Sequence, residues 1–197
     1  MKRAEAKERI LRATVETLAG EGYAGTTARA IALRGGFAPS VIYYHYADLD
    51  DLFIATMRFT SGERLNRYRD QTAGLTSAVQ VLAALRDLYS EDTAGGHITA
   101  VQELIAAGST RYTEEMRGEV RAWQDLAEEV LGRLLVGTPL AQLVPIRRAA
   151  EAAVAFYLGM ELLVHLGADL ASPDEFFEGA EQAAAMLDAF RGFPEPP

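Results

Sequence analysis

The chain contains no cysteine, which excludes disulfides, thiolate metal sites and a cysteine nucleophile. Its three histidines, His45, His97 and His165, are too scattered to suggest a metal site, which needs several convergent ligands. Lysine occurs only at Lys2 and Lys7. Long hydrophobic runs are missing too: the longest apolar stretch, Ala152 to Ala168, is broken by Glu161 and His165 and is short for a bilayer span. The amino-terminal residues Met-Lys-Arg-Ala-Glu-Ala-Lys-Glu are charged and lead into no apolar core, so no secretory signal is expected. No segment shows the alternation of a half-buried strand, and no internal repeat is visible. An all-helical enzyme or carrier would need a convergent nucleophile, base or metal constellation, and no such spacing occurs. Neither enzymatic activity nor a metal nor a cofactor is expected, and no membrane partner.

What is present is ordinary in total and uneven in distribution. The 197 residues are 49% hydrophobic and 24% charged, enough to bury a sizeable core. Net charge is −9, which argues at first against a nucleic-acid partner. Residues 1–46, however, carry seven Lys/Arg against four Asp/Glu, while residues 47–197 carry twelve against twenty-four. Attraction to phosphate is local, because salt screens it within roughly 10 Å. A basic amino-terminal module on an acidic body is therefore compatible with DNA, and a cytoplasmic location is expected.

The pattern reads almost throughout as helix, an all-α chain of about nine helices. Residues 5–19 carry Ile10, Ala13, Thr14 and Leu18 on one face, before Gly20 and Gly22. Thr26 or Thr27 can cap a second helix that ends at Gly35-Gly36, and Ala38-Pro39-Ser40 opens a third. Asp48 caps a fourth over about 49–69, with Asp50 and Asp51 in its first turn. Glycine, proline and serine clusters then separate segments near 75–91, 97–107, 110–136, 141–168 and 173–191.

The stretch from Gly22 to Phe53 carries the most specific information. Two short helices meet at a tight glycine turn, and small residues open the second one. That is the layout of a helix-turn-helix, whose second helix enters the DNA major groove. Ala38, Pro39, Ser40 and Val41 are short enough to approach base edges, and Val41 can meet a thymine methyl. Tyr43, Tyr44 and His45 follow, with tyrosine hydroxyls suited to phosphates. Thr26 and Thr27 at a helix start, with Arg29, Lys2, Arg3 and Lys7, would add phosphate contacts. Ile42 and Tyr46 should pack inward against Ile31 and Phe53. Two short helices around a glycine turn are also a common packing unit, and the layout alone leaves both readings open.

The ordered set Gly22-Tyr23, Thr26-Thr27, Ile31-Ala32, Gly36-Phe37, Tyr43-Tyr44-His45-Tyr46 and Leu52-Phe53 resembles the amino-terminal domain of the TetR family (TetR/AcrR type) of transcriptional regulators. The resemblance covers residues 8–53 and implies a helix-turn-helix DNA-binding domain over 1–47. A helical effector-binding and dimerisation domain would follow over 48–197. It implies a homodimeric repressor, associated with the nucleoid when bound, that a small molecule releases from a palindromic operator. A regulator of the same fold without a small-molecule ligand is the alternative. The chain departs from the family pattern at Ala38, Ser40 and Val41, where Ser, Gly and Thr are frequent. It also departs at Leu49, where a Lys often opens the fourth helix. A weaker or more arm-dependent grip on DNA is expected, with Lys2, Arg3 and Lys7 compensating.

By the same resemblance the last two helices pair with their twins. Glu161, His165, Phe176, Phe177, Ala184 and Leu187 are the candidate dimer residues. Glu161 and His165 lie four apart on one helix face, as an interface bond, a buried pair or a polar spot in a pocket; the interface is favoured. Candidate effector-cavity liners are Met57, Tyr89, His97, Gln102, Ile105, Trp123, Leu126, Phe156 and Met160, although aromatics at helical spacing more often simply pack. The apolar segments hold few cationic side chains, which leaves apolar, aromatic or cationic effectors open.

Overall fold

The computed structural model describes residues 3–108, 110–167 and 172–190. Among these residues the regular structure is helical: α1 (Arg3–Gly25), α2 (Ala28–Gly35), α3 (Pro39–His45), α4 (Leu49–Thr72), α5 (Ala78–Ala94), α6 (His97–Ala106), α7 (Thr110–Leu135), α8 (Ile146–His165) and α9 (Pro173–Phe190). A short 3-10 turn, Pro139–Gln142, lies between α7 and α8. The expected all-α architecture is thus observed.

Several boundaries follow from local chemistry. Gly20 does not stop α1; the helix kinks only at Gly22 (φ 68°, ψ 176°) and ends at Gly25. Thr27 is the N-cap of α2, its Oγ1 accepting the Ala30 N–H at 3.1 Å. The fourth helix begins behind Asp48, whose Oδ1 accepts the Asp51 N–H at 2.7 Å. The Asp51 carboxylate in turn accepts the Ala47 N–H at 3.2 Å, a reciprocal capping arrangement. The helix expected from 141 starts only at Ile146, because Pro145 precedes it and Pro139 opens a separate 3-10 turn.

The chain forms two compact units. One gathers the chain as far as Arg64 together with Glu91–Glu119; the other gathers Leu65–Ser90 and the chain from Val120 on. In the first, Ile10 and Leu18 of α1 share a core with Ile31, Ile42, Tyr46, Phe53 and Leu104. Threonines inside it are satisfied by their own helices: Thr14 and Thr17 donate to the Ile10 and Ala13 carbonyls at 2.8 and 2.6 Å. Arg64 and Asp92, 5% and 0% exposed, form an ion pair at 2.7 Å between α4 and α5.

The second unit is organised by rings. Tyr68 meets Trp123 edge-on, with centroids 4.9 Å apart, and packs with Leu88 and Leu126. The Tyr68 and Tyr157 hydroxyls are 3.1 Å apart, and Tyr89 contacts both Tyr157 and Phe177. A smaller cluster joins Ala78, Val81, Leu134 and Ala184, with Leu187 against it. The start of α5 is fixed from α9: the Asp188 carboxylate accepts the Ser77 hydroxyl (2.6 Å) and the N–H groups of Ala78 (2.7 Å) and Val79 (3.1 Å). Amides at a helix start have no intrahelical acceptor, and a carboxylate there complements the helix dipole. This cap, together with the Ser77 hydroxyl that accepts the Gln80 N–H at 3.3 Å, accounts for a start at Ala78 and not near residue 75.

Candidate nucleic-acid interface

The turn between α2 and α3 is fully specified by backbone bonds. Gly36 adopts the left-handed conformation (φ 65°, ψ 42°) that side chains with a Cβ resist. The Gly36 N–H donates to the Leu33 carbonyl at 3.3 Å and the Phe37 N–H to the Ala32 carbonyl at 3.0 Å. This is the Schellman pattern that terminates a helix and reverses the chain. Pro39 then occupies the first turn of α3, where a missing N–H costs nothing. Ile42 is fully buried and Tyr46 nearly so, pinning the inner face of α3 against Ile31 and Phe53.

The opposite face of α3 is outward. Ala38, Pro39, Ser40, Tyr43 and Tyr44 are exposed, Tyr44 at 75%, whereas Val41 leans on the core. His45 is half-buried with its ring edge-on to Tyr44, centroids 4.9 Å apart. On α2, Thr27 and Arg29 are exposed. Thr26 is different: it is buried, and its hydroxyl donates to the Gly22 carbonyl at 2.6 Å, closing the end of α1. Arg3 is exposed in the first turn of α1, and the Lys7 ammonium lies 5.7 Å from the centre of the Tyr46 ring. These two cations ride on a helix and not on an extended arm; Lys2 lies outside the described residues.

The acids around Leu49 have structural partners. Asp48 and Asp51 cap α4, and Asp50 Oδ1 accepts the hydroxyl of Tyr112 at 2.6 Å. Burial, reinforced by that bond, holds the Tyr112 phenol far above its ordinary range. Burial also raises the Tyr46 phenol, with the nearby Asp51 charge adding to it.

Residue pattern alone gave no role to three side chains that shape this module. Arg9 of α1 donates to the carbonyls of Gly35 and Gly36, 26 and 27 residues away. Glu103 of α6 accepts the Tyr23 N–H at 2.7 Å, an amide released from the helix by the kink at Gly22. Tyr112 of α7 holds Asp50. All three act across long sequence separations, so no local motif announces them.

The candidate effector residues fall in both units. Met57 and Gln102 are buried in the first, His97 is half-buried at the start of α6, and Ile105 is exposed. In the second, Trp123 and Leu126 pack with Tyr68, and Tyr89 with Tyr157 and Phe177; Met160 is buried. Phe156 is 58% exposed, its ring 4.9 Å from that of Phe176.

Of the candidate dimer residues, Glu161 is 1% exposed, and Phe177 and Ala184 are also buried inside the second unit. Side chains so covered reach a second copy only if the unit repacks. His165, Phe176 and Leu187 are half-buried. Among the described residues, exposed large apolar side chains on α8 and α9 include Phe156, Leu162, Leu163 and Met186, with Leu166 exposed just past the end of α8. Among the described residues no group of three or more His, Asp or Glu could hold a metal ion, and no helix is long and apolar enough to cross a membrane.

Comparison with known proteins agrees with this architecture. Residues 10–56 match the family described as bacterial regulatory proteins, tetR family. Uncharacterized HTH-type transcriptional regulators of Mycobacterium bovis and Mycobacterium tuberculosis are 27% identical over 109 residues, 55% of this chain and 56% of each relative. The matched region thus spans little more than half the length of those relatives. A Rhodococcus protein assigned to the TetR-family transcriptional regulators superposes with a TM-score of 0.74 at 18% identity, over 93% of this chain and 98% of its own. The transcriptional regulator FadR of Bacillus subtilis, solved with stearoyl-CoA, gives a TM-score of 0.71 at 14% identity, over 90% of this chain and 96% of its own. These structural likenesses establish the fold, and the match over residues 10–56 falls on the capped helices and the glycine turn described above. Residues 10–56 thus carry the module described for the tetR family of bacterial regulatory proteins, and the chain as a whole shares the fold of solved proteins that contain it.

Proposed function

We propose that this chain is a sequence-specific DNA-binding transcriptional regulator, a homodimeric repressor that a small molecule releases from a palindromic operator. The observation that carries the reading is α3 itself, buried through Ile42 and outward through Ser40, Tyr43 and Tyr44, behind a turn fixed by Gly36. A short helix held so firmly on one face and bare on the other is what major-groove reading requires. Base contacts would come from Ala38, Pro39, Ser40, Val41 and Tyr44. Phosphate contacts would come from Thr27, Arg29, Tyr43, His45, Arg3 and Lys7, with Lys2 beside them. Thr26 shapes the turn. Residues 1–47 supply DNA binding, and residues 48–197 supply effector response and dimerisation.

Dimerisation through α8 and α9 is supported by their exposed apolar side chains, Phe156, Leu162, Leu163 and Met186, which a second copy would cover. An apolar, aromatic or cationic effector is supported by the aromatic interior of the second unit; the Bacillus subtilis protein of the same fold was solved with stearoyl-CoA, whose acyl chain is apolar but whose phosphates are anionic. The alternative, regulation without a small molecule, is supported by the mutual contacts of Tyr89, Tyr157 and Phe177. Thermal melts with candidate compounds separate the two, since a ligand at a hundredfold its Kd stabilises by about 2.7 kcal/mol. Action would be in the cytoplasm, at the nucleoid when DNA is bound.

Selection of duplexes from random DNA by the full chain tests the reading. Enrichment of an inverted repeat, with half-sites one helical turn or a multiple of it apart, is the expected result. Recovery of no preferred duplex at any salt concentration contradicts it.

A further inference from the structure

Arg9 stands outside every contact described for α3, yet it holds the turn from which α3 starts. Its Nε donates to the Gly35 carbonyl at 2.7 Å and its Nη2 to the Gly36 carbonyl at 3.0 Å. Carbonyls at a helix end lack intrahelical donors, and α2 presents its negative dipole end there, so a guanidinium suits the position twice over. The guanidinium carbon also lies 5.9 Å from the Phe37 ring centre. Phe37 in turn covers Gly35 so closely that a Cβ at Gly35 would sit 2.1 Å from its ring. A Cβ at Gly36 would come 3.0 Å from Arg9 Nη2. Arg9, Gly35, Gly36 and Phe37 therefore form one clamp, anchored on α1 and closed over the chain that enters α3. At the start of α3 itself, Ala38 offers no side-chain cap.

The geometry points to Arg9 as a positioning residue for sequence recognition: it sets the angle of α3 through the turn and does not itself grip phosphate. This inference rests on the DNA-binding reading above. Base contacts depend on placement of α3 to a fraction of an ångström, whereas non-specific binding depends on the number of phosphates neutralised. Loss of the clamp should therefore cost discrimination between sequences more than it costs total affinity.

The test compares the full chain with Arg9→Ala and Arg9→Lys by fluorescence anisotropy. The probes are the duplex most enriched from random DNA and a scrambled duplex of equal length, each titrated over a range of salt. Amide hydrogen exchange of residues 35–45 is measured on the same proteins without DNA. Arg9→Ala is expected to lose about tenfold in the ratio of selected to scrambled affinity, with the salt slope unchanged; Arg9→Lys, keeping the charge but not the two-carbonyl geometry, falls between. Exchange at the turn and in α3 is expected to quicken by about tenfold, and this readout stands even if no duplex proves to be discriminated. Equal losses on both duplexes, with the salt slope reduced by about one phosphate, overturn the inference in favour of a direct phosphate contact. So does unchanged exchange over residues 35–45.

Discussion

The glycine turn between α2 and α3 and the ring-filled interior of the second unit solve the same problem, fixing helices relative to one another, by opposite means. The turn uses short polar bonds and one left-handed glycine, so its geometry has little latitude. The interior uses Tyr68, Tyr89, Trp123, Tyr157 and Phe177, whose ring contacts have broad geometric minima. Under the proposed function, rigidity sits where a base edge would be met, and adaptable packing sits where an effector would be admitted.

The contrast can be broken most forcefully at its polar side. Asp92→Ala leaves the buried Arg64 guanidinium without its carboxylate at 2.7 Å. A loss of about 3–5 kcal/mol in denaturant unfolding is expected; a loss under about 1 kcal/mol would show that the first unit does not depend on polar ties. Gly36→Ala imposes a Cβ on a left-handed residue and crowds Arg9. A cost of about 1–2 kcal/mol is expected, together with weaker DNA binding by anisotropy. On the side of the second unit, Asp188→Ala uncaps α5 and should cost about 1–2 kcal/mol, read as a lower unfolding midpoint with DNA affinity nearly intact. A comparable fall in DNA affinity would erase the functional distinction between the two units.

The smallest effect concerns surface charge. The Arg148 hydrogen bond, followed by the Arg148 charge and then by Arg147, holds the Glu151 carboxyl below its ordinary range. Its contribution is therefore complete above the pKa of an unfolded glutamate and fades as the pH falls through the lowered folded value. Glu151→Gln should narrow slightly the difference between unfolding midpoints at neutral and strongly acid pH, and added salt should shrink the effect further. An acid sensitivity that grows in the variant would contradict this sign.

What could be read directly from sequence was what neighbouring residues decide. Thr27 as a cap, Gly36 as a stop, Pro39 as a helix opening and Asp48 before α4 each act within a few positions, and each stands where the pattern puts it. The all-helical class was legible for the same reason. The positions that escaped are set from afar. Gly20 is an acceptable helical residue because the buried face of α1 outweighs roughly 1 kcal/mol of unfavourable propensity. Asp188 fixes the start of α5 across more than a hundred residues, and Arg9 reaches the turn across 26 and 27. Glu161, Phe177 and Ala184 were named for an interface through the resemblance, and their burial within the single chain is set by packing that no local pattern announces.

The central claim, that the outward face of α3 reads DNA sequence, is tested most directly with Tyr44. This side chain is 75% exposed, with its ring against the adjacent His45, so Tyr44→Ala should leave the melting temperature within the small range typical of surface changes. Anisotropy titrations of the variant should lose about tenfold or more on the selected duplex and little on its scrambled counterpart. Unchanged discrimination between the two duplexes, with the fold intact, would contradict the account.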